Sequence, residues 1–321
     1  MKLLYAWIWF ICLSEVAFSQ ESSQYSLYMM QKYALNPAYA GLESTLSITG
    51  AVRSQWQELP GAPSSKIIHA HLPLYYLKGG GGIKLEQETF GIEKTTRAMV
   101  SYNYVYQSDF GIFSGAFGVG FIQKSFDGSL LRTPQGKYEG NLIFHGDDIL
   151  FNSSLNGLVP QLVAGVYFAQ DQLEIGLSIE NFHSPTIDFN HGRTTYQIRP
   201  RANLYAEYKV DFAENFSLTP SLLLKSDLSQ TQTDITALAT INQNIFAGVG
   251  FRGYSSKSID ALTFIGGLKI NANLKVLYGF DFTLSSLNAV HQGTHELILN
   301  YNLNKKIGGI EKEPIIYNPR Y

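Results

Sequence analysis

The feature that most constrains this chain is a two-residue alternation of apolar and polar side chains. It recurs in segment after segment from Thr45 to Leu303. Leu46, Ile48, Gly50 and Val52 share one face, against Thr45, Ser47, Thr49 and Arg53. Ala98, Val100, Tyr102, Tyr104 and Tyr106 alternate with Arg97, Ser101 and Asn103, and Leu173, Ile175, Leu177 and Ile179 with Glu174, Gly176, Ser178 and Glu180. The same holds for Ala202–Val210 and for His295–Leu303. A period of two is that of a strand with one apolar and one polar face. About fourteen such segments can be picked out, each near the roughly 10 residues that a tilted membrane strand needs. Beyond the N-terminus there is no long apolar helix candidate. If the chain enters a membrane, only a closed barrel leaves no backbone donor or acceptor unpaired in lipid.

Composition agrees. Charged residues make up 16% of the chain, against roughly 25% in an average soluble domain. Tyr and Phe number 20 each, and there are 29 Gly. A net charge of −2 offers no basic field for nucleic acid. An all-β secreted globule would share this composition, so the connections between strands matter. If the strand from Thr45 to Arg53 runs outward, the inward-side connections are Pro73–Gly82, Gln107–Gly111, Ala169–Gln172, Asp211–Asn215, Asn242–Asn244 and Asn271–Asn273. All but the first are tight and rich in turn formers. The outward side includes Lys124–Leu158, Phe182–Ile198, Gly253–Asp260 and Ser285–Thr294. Short inner turns and long outer loops are the habit of bacterial barrels. The expected fold is therefore an all-β, transmembrane, antiparallel up-and-down β-barrel of about 14 strands, with short periplasmic turns, long extracellular loops and both termini periplasmic.

Residues 1–19 read as a signal peptide: Lys2, the apolar run Leu3–Leu13, and small residues in Ala17-Phe18-Ser19, with cleavage before Gln20. The run is too short to span a bilayer. Cys12, the only cysteine, lies within it, so the mature chain is expected to lack disulfides and thiolate metal sites. Residues 20–44 are expected to form a periplasmic arm or lumen plug, 45–303 the barrel, and 304–321 a periplasmic tail.

Candidate chemistry is thin. His69 and His71 point to one face of a strand, a spacing that can chelate a metal, but no third ligand stands nearby, and they read as a polar lumen-facing pair. His291, His295 and Glu296 read as a solvated rim, and Asp147-Asp148 as loop charges. Gly79–Gly82 lacks the strand-to-helix setting of a phosphate loop and reads as flexible turn backbone. No G-x-S-x-G element fixes a nucleophile. No catalytic, metal-binding or cofactor-binding residue is assigned.

The more informative cluster comes early. Asn36-Pro37-Ala38-Tyr39-Ala40-Gly41 follows Gln24-Tyr25-Ser26; then come Arg53-Ser54-Gln55-Trp56 and Gly61-Ala62-Pro63. Asn-Pro and Ala-Gly are turn punctuation before a strand. Trp56 at a strand end suits an aromatic girdle at the lipid–water interface, and on these grounds the cluster reads as rim architecture. In order and spacing these elements resemble the PorP/SprF family of type IX secretion system outer-membrane proteins. Gly176-Leu177-Ser178 with Asn181, the Pro220–Lys225 stretch, Gly293-Thr294-His295-Glu296 and the ending Asn318-Pro319-Arg320-Tyr321 extend the resemblance over the mature chain.

The resemblance implies a non-enzymatic accessory barrel embedded in outer-membrane lipid. It implies as partners a specific secreted cargo such as a surface adhesin, met through the cargo's C-terminal secretion domain, and other components of the machinery. It identifies no cargo-binding residues; Lys124–Leu158 and Phe182–Ile198 are the expected contact loops, since function tends to sit on loops held by a rigid scaffold. Two alternatives stay open: a transport barrel for small or hydrophobic solutes, and a barrel enzyme acting on lipids.

Overall fold

The computed structural model describes residues 24–139, 142–146, 150–189, 194–255 and 258–305. The strands of its main sheet are β1 (Ser47–Ser54), β2 (Ser64–Leu74), β3 (Gly79–Phe90), β4 (Glu93–Ser108), β5 (Gly111–Asp127), β6 (Ser154–Ala169) and β7 (Leu173–Glu180). They continue as β8 (Arg201–Tyr208, prolonged by Val210–Ala213), β9 (Phe216–Ser226), β10 (Thr231–Ile241), β11 (Ile245–Ser255), β12 (Ser258–Lys269), β13 (Leu274–Thr283) and β14 (Thr294–Asn302). Each strand pairs antiparallel with its sequence neighbours, and β1 closes the ring against β14 from Ser47↔Asn302 to Ser54↔His295. The result is a closed barrel of 14 strands, and ring closure leaves its main sheet without an edge among the described residues.

The alternation read from the sequence sorts the two faces. Ser47, Thr49, Ala51 and Arg53 are buried toward the lumen, whereas Val52 is exposed on the outside. Val100, Tyr102, Tyr104 and Tyr106 look outward, opposite Arg97, Met99 and Asn103. The outer face is a belt of exposed Val, Ile, Leu, Phe and Tyr, and the inner face carries the charges. That inversion of a water-soluble protein is what a lipid-embedded barrel requires. Among the described residues no helix is long and apolar enough to cross a membrane; the crossing is made by strands.

Connections sort by end, as expected. At one end they are short: Asp109-Phe110, Gln170–Gln172, Glu214-Asn215, Asn242–Asn244 and Ile270–Asn273. The first of this set also proves tight. It is a single 3-10 turn, Tyr75–Leu77, closed by Lys78 in a left-handed conformation. Gly79–Gly82, read from sequence as flexible turn backbone, is instead the start of β3, paired with Leu74–His71 and with Tyr104–Ser101. At the opposite end β5 and β6 run past the expected boundaries, so the longest loop covers 128–153. Not every connection there is long: β3 and β4 are joined by Gly91-Ile92 alone. Asp147 and Asp148 lie outside the described residues.

Candidate functional site

Residues 24–44 do not lie along a rim; they run down the inside of the barrel. At the loop end, Gln24 accepts a hydrogen bond from Gln55 Nε2 (3.4 Å). Short helical turns follow at Tyr28–Met30, Lys32–Leu35 and Pro37–Tyr39. Gly41 then meets β2 near Leu72 and Pro73, at the short-turn end. Leu27, Tyr28, Tyr33, Ala38 and Ala40 are fully or almost fully buried and form one cluster with lumen-facing Met99, Tyr167, Tyr205 and Leu277. Burying a side chain the size of Leu27 is worth about 1.5–3 kcal/mol, and several such side chains hold this segment.

Polar anchors fix its register. Near the loop end, Ser26 N–H donates to Glu296 (2.7 Å) and Ser26 Oγ to Asp281 (2.7 Å). Arg53 bridges the same two carboxylates at 3.0 and 2.7 Å. Arg252 reaches Ser26 Oγ (3.0 Å), Asp281 (3.1 Å) and Asp234 (2.5 Å). Glu296, expected on a solvated rim, is thus buried at the centre of a charged network that clasps the chain. Charges removed from water persist only when paired and hydrogen-bonded in this way.

Deeper in the barrel, Lys32 enters between Glu174 (2.8 Å) and Glu207 (2.5 Å). Burial by itself would depress the Lys32 ammonium, but the two carboxylates outweigh it and raise its pKa. Burial also pushes Tyr28 and Tyr33 up to about 12. All three pKa values are higher folded than unfolded, so their contribution is fully present below the ordinary lysine and tyrosine values and is lost as pH climbs through the raised ones. The near-ultraviolet circular dichroism of the buried tyrosines should therefore stay constant through neutral and mildly alkaline pH and collapse only in strong alkali. With Lys32→Met, Glu174 and Glu207 lose their counter-charge, and the signal should weaken already at neutral pH.

The Asn36–Gly41 cluster sits against the wall. Asn36 caps the short Pro37–Tyr39 turn by accepting from Ala38 N–H (3.0 Å), with Pro37 in the position where a missing N–H costs nothing. Its Nδ2 donates to the carbonyls of Val166 (2.9 Å) and Leu177 (3.2 Å). Tyr39 packs edge-on against Tyr167 and His71. Ala38 and Ala40 carbonyls accept from Asn103 Nδ2 at 2.8 and 2.9 Å, and Gly41 N–H donates to His71 Nδ1 (3.2 Å). Glycine makes this approach possible. A Cβ on Gly80 would stand 2.2 Å from Ala40 O, and one on Gly165 2.2 Å from Asn36 Oδ1.

The remaining sequence candidates fall into place around this core. His69 and His71 do face the lumen, stacked on each other and flanked by Tyr33. Neither ring nitrogen of His69 has a hydrogen-bond partner among the described residues. Among the described residues no group of three His, Cys, Asp or Glu is placed to hold a metal. Trp56 is half-buried and its ring meets that of His291, while its backbone N–H donates to Thr294 Oγ1 (3.1 Å). It serves to join two loops rather than a lipid girdle. Gly61, Ala62 and Pro63 turn the chain into β2 and pair with Gly91 and Gln55.

The mouth at the loop end is also occupied. Within Phe182–Ile198, a hairpin of Thr186–Phe189 and Thr194–Gln197 folds inward, burying Ile187 and Phe189 against Ile122 and Val159 of the wall. Gly157 leaves the room that Ile187 fills. Lys124 sits 3.8 Å from the Tyr196 ring centroid and 2.6 Å from Glu93, tying hairpin to wall. The loop over 128–153 carries a second hairpin, Lys137–Glu139 with Leu142–Phe144, and displays exposed Leu130 and Phe144. Of the two readings offered for residues 20–44, periplasmic arm or lumen plug, the described part lies inside the barrel; the inward hairpin was not foreseen.

Comparison with known proteins adds a family. The family model described as "Type IX secretion system membrane protein PorP/SprF" matches residues 17–301. No curated protein matches the sequence. Among solved structures, the outer membrane protein Omp33 of Acinetobacter baumannii is similar with a TM-score of 0.47 at 6% identity, covering 80% of this chain and 97% of that one. A mutant of the monoaromatic hydrocarbon channel TodX gives 0.44 at 9% identity, covering 83% of this chain and 92% of that one. A FadL homologue of Pseudomonas aeruginosa gives 0.43 at 12% identity, covering 80% and 89%.

Proposed function

The chain belongs to the PorP/SprF family of type IX secretion system membrane proteins, and from that premise we propose that it is a non-enzymatic outer-membrane accessory that binds, anchors or guides one secreted cargo, such as a surface adhesin. The observation that carries this reading is the filled lumen. Residues 24–42 occupy the barrel and an inward hairpin occupies its mouth, so the loop end, and not a pore, is the surface free to work. The cargo meets that end through the folded loops over 128–153 and 181–200, with other machinery components alongside. Deleting the gene should abolish surface display of one cargo while other type IX secretion continues; unchanged display of every cargo would sink the proposal. A solute-transport role would instead require steady conductance or uptake by the purified barrel.

The same reading sets the orientation: long loops outside, short turns and the end of β14 in the periplasm. Gln24 then lies in the outer half of the lumen, and the expected periplasmic N-terminus concerns residues outside those described. With Cys12 removed in a signal peptide, single cysteines report cleanly. An impermeant maleimide on intact cells should label Leu228→Cys, in the turn between β9 and β10, and spare Tyr76→Cys at a short turn, both residues being highly exposed. Labelling of the opposite set would invert the orientation.

A further inference from the structure

Where β14 and β1–β4 approach the loop end, the outward-facing positions of the wall change character over three successive cross-strand rows. The first, Leu299–Gly50–Ile68–Leu85, is apolar. The next, Leu297–Val52–Lys66–Gln87–Thr96, turns from apolar to polar along its length. The third, His295–Ser54–Ser64–Thr89–Lys94, is polar throughout. The apolar belt ends here, at the level where lipid head groups replace hydrocarbon. Gly50 interrupts the apolar row. A Cβ added to it would meet nothing within 4 Å, so the missing side chain leaves open space and no packed contact. That space is part of a furrow of about 480 Å³ in the outer wall, with Lys66, Gln87 and Thr96 at its polar end. Val52, Ile68, Leu85, Leu297 and Leu299 line the rest, and all five are exposed.

Charge on this part of the wall has one sign. The outward-facing positions of β14 and β1–β4 carry two lysines, Lys66 and Lys94, and no carboxylate. Both lysines are exposed, and neither has an ion-pair partner among the described residues. In the lumen, Arg53 and Arg252 are answered by carboxylates; these two lysines are left to what lies outside the wall. Hydrocarbon fits the furrow and an anion fits the lysines above it, and a single molecule that offers both side by side is an acidic lipid. We propose that this face holds a phosphorylated glycolipid of the outer leaflet. One acyl chain lies in the furrow against Gly50, and a head-group phosphate meets Lys66, with Lys94 one row further toward the head group. Ammonium-to-phosphate contacts are charge-assisted, and basic side chains at a membrane surface recognise anionic head groups. The choice of leaflet rests on the proposed orientation; the pairing of furrow and lysines does not.

The test uses the full mature protein in dodecyl maltoside micelles, with bound lipid counted by native mass spectrometry. The probes are lipid A, the same lipid A with its phosphates removed, and phosphatidylglycerol. Lipid A should bind saturably as one copy, and its dephosphorylated form about tenfold more weakly. Lys66→Gln should weaken lipid A by about tenfold and leave the dephosphorylated form unchanged. Gly50→Leu, which fills the furrow, should weaken both forms by about tenfold. Both positions face out of the wall, so the variants keep their fold, shown by unchanged heat-modifiable gel mobility. Equal binding of the two forms of lipid A overturns the inference; Lys66 then only reaches for water, as lysines beside apolar surface do. Binding that Gly50→Leu does not weaken also overturns it, and so does phosphatidylglycerol held as tightly as lipid A. Orientation is read separately, by the maleimide labelling above. Loss of cargo display on gene deletion without a preference for lipid A would fail the furrow and leave the anchoring role; that preference with normal display would do the reverse.

Discussion

Replacing Arg53 by methionine should destabilise the barrel by about 3–5 kcal/mol, the usual consequence of removing one member of a buried ion pair. Arg53 lies between Asp281 (2.7 Å) and Glu296 (3.0 Å) and also donates to Ser26 Oγ (2.9 Å). Without it two carboxylates face each other in a space from which residues 24–27 exclude water. Arg252 still reaches Asp281 but not Glu296. The loss should appear in two places: a lower urea midpoint for refolding into detergent, and faster proteolysis of the N-terminal segment than of the wall. Because the damage is an uncompensated charge, adding Glu296→Gln to Arg53→Met should recover part of it, a non-additivity expected of residues in one network. A single variant as stable as the parent, with its N-terminal segment still protected, would show that apolar packing alone seats that segment.

How much of this was legible in the sequence depends on the physics behind each feature. Strands declared themselves because lipid on one side and a polar lumen on the other impose the alternation directly; Leu173–Glu180 is one example. Strand ends were less legible. β5 and β6 pair far beyond the apolar belt, from Lys124↔Gly157 to Asp127↔Ser154, where no lipid enforces a pattern. The lumen was the least legible part. Asn36–Gly41 looked like turn punctuation, and locally it is: Asn36 is a cap and Pro37 opens a turn. What places it inside the barrel is glycine on the facing strands. Gly80 and Gly82 share the parity of Lys84 and Glu86, and Gly165 that of Tyr167, so small residues stand where the lumen face should carry side chains. Parity was the available signal, and the run Gly79–Gly82 masked it by resembling a loop.

Charge was misread for a related reason. Arg53 and Glu296 stand near strand ends, where solvation is the default, and nothing local to either announces the other. Their pairing depends on ring closure, since β1 and β14 are adjacent only because the barrel closes with Arg53 opposite Glu296. Contacts across 243 residues leave no trace in a window of ten. The hairpin within Phe182–Ile198 is similar. Its Ile187 and Phe189 alternate with Thr186 and Asp188, the mark of a half-buried strand, but the segment's length and Pro185 made it read as an open loop.

Gly80→Leu should turn a quiet barrel into a leaking one. Even the first carbon of the new side chain would stand 2.2 Å from Ala40 O and 2.9 Å from Asn103 Oδ1. Both neighbours are fixed: Ala40 is backbone of the fully buried segment, and Asn103 is held by Ala38, Ala40, Ser114 and Gly80 itself. β3 cannot retreat, because it is paired along its length with β2 and β4. The element able to move is the Asn36–Gly41 segment, which is anchored by hydrogen bonds to the wall and not by strand pairing. Its displacement would open the short-turn end of the lumen, whose polar lining then admits water and ions. In a planar bilayer the parent protein should show no steady current, and Gly80→Leu persistent channel-like current. Gly50→Ala is the control: Gly50 lies in a strand, and an added Cβ there meets nothing within 4 Å, so that variant should stay silent. The comparison also separates two origins of closure. If Gly80→Leu stays silent while its N-terminal segment becomes protease-sensitive, the inward hairpin held by Ile187 and Phe189 seals the barrel without the segment's help. If it stays silent with the segment still protected, the fit of glycine to Ala40 does not govern closure at all.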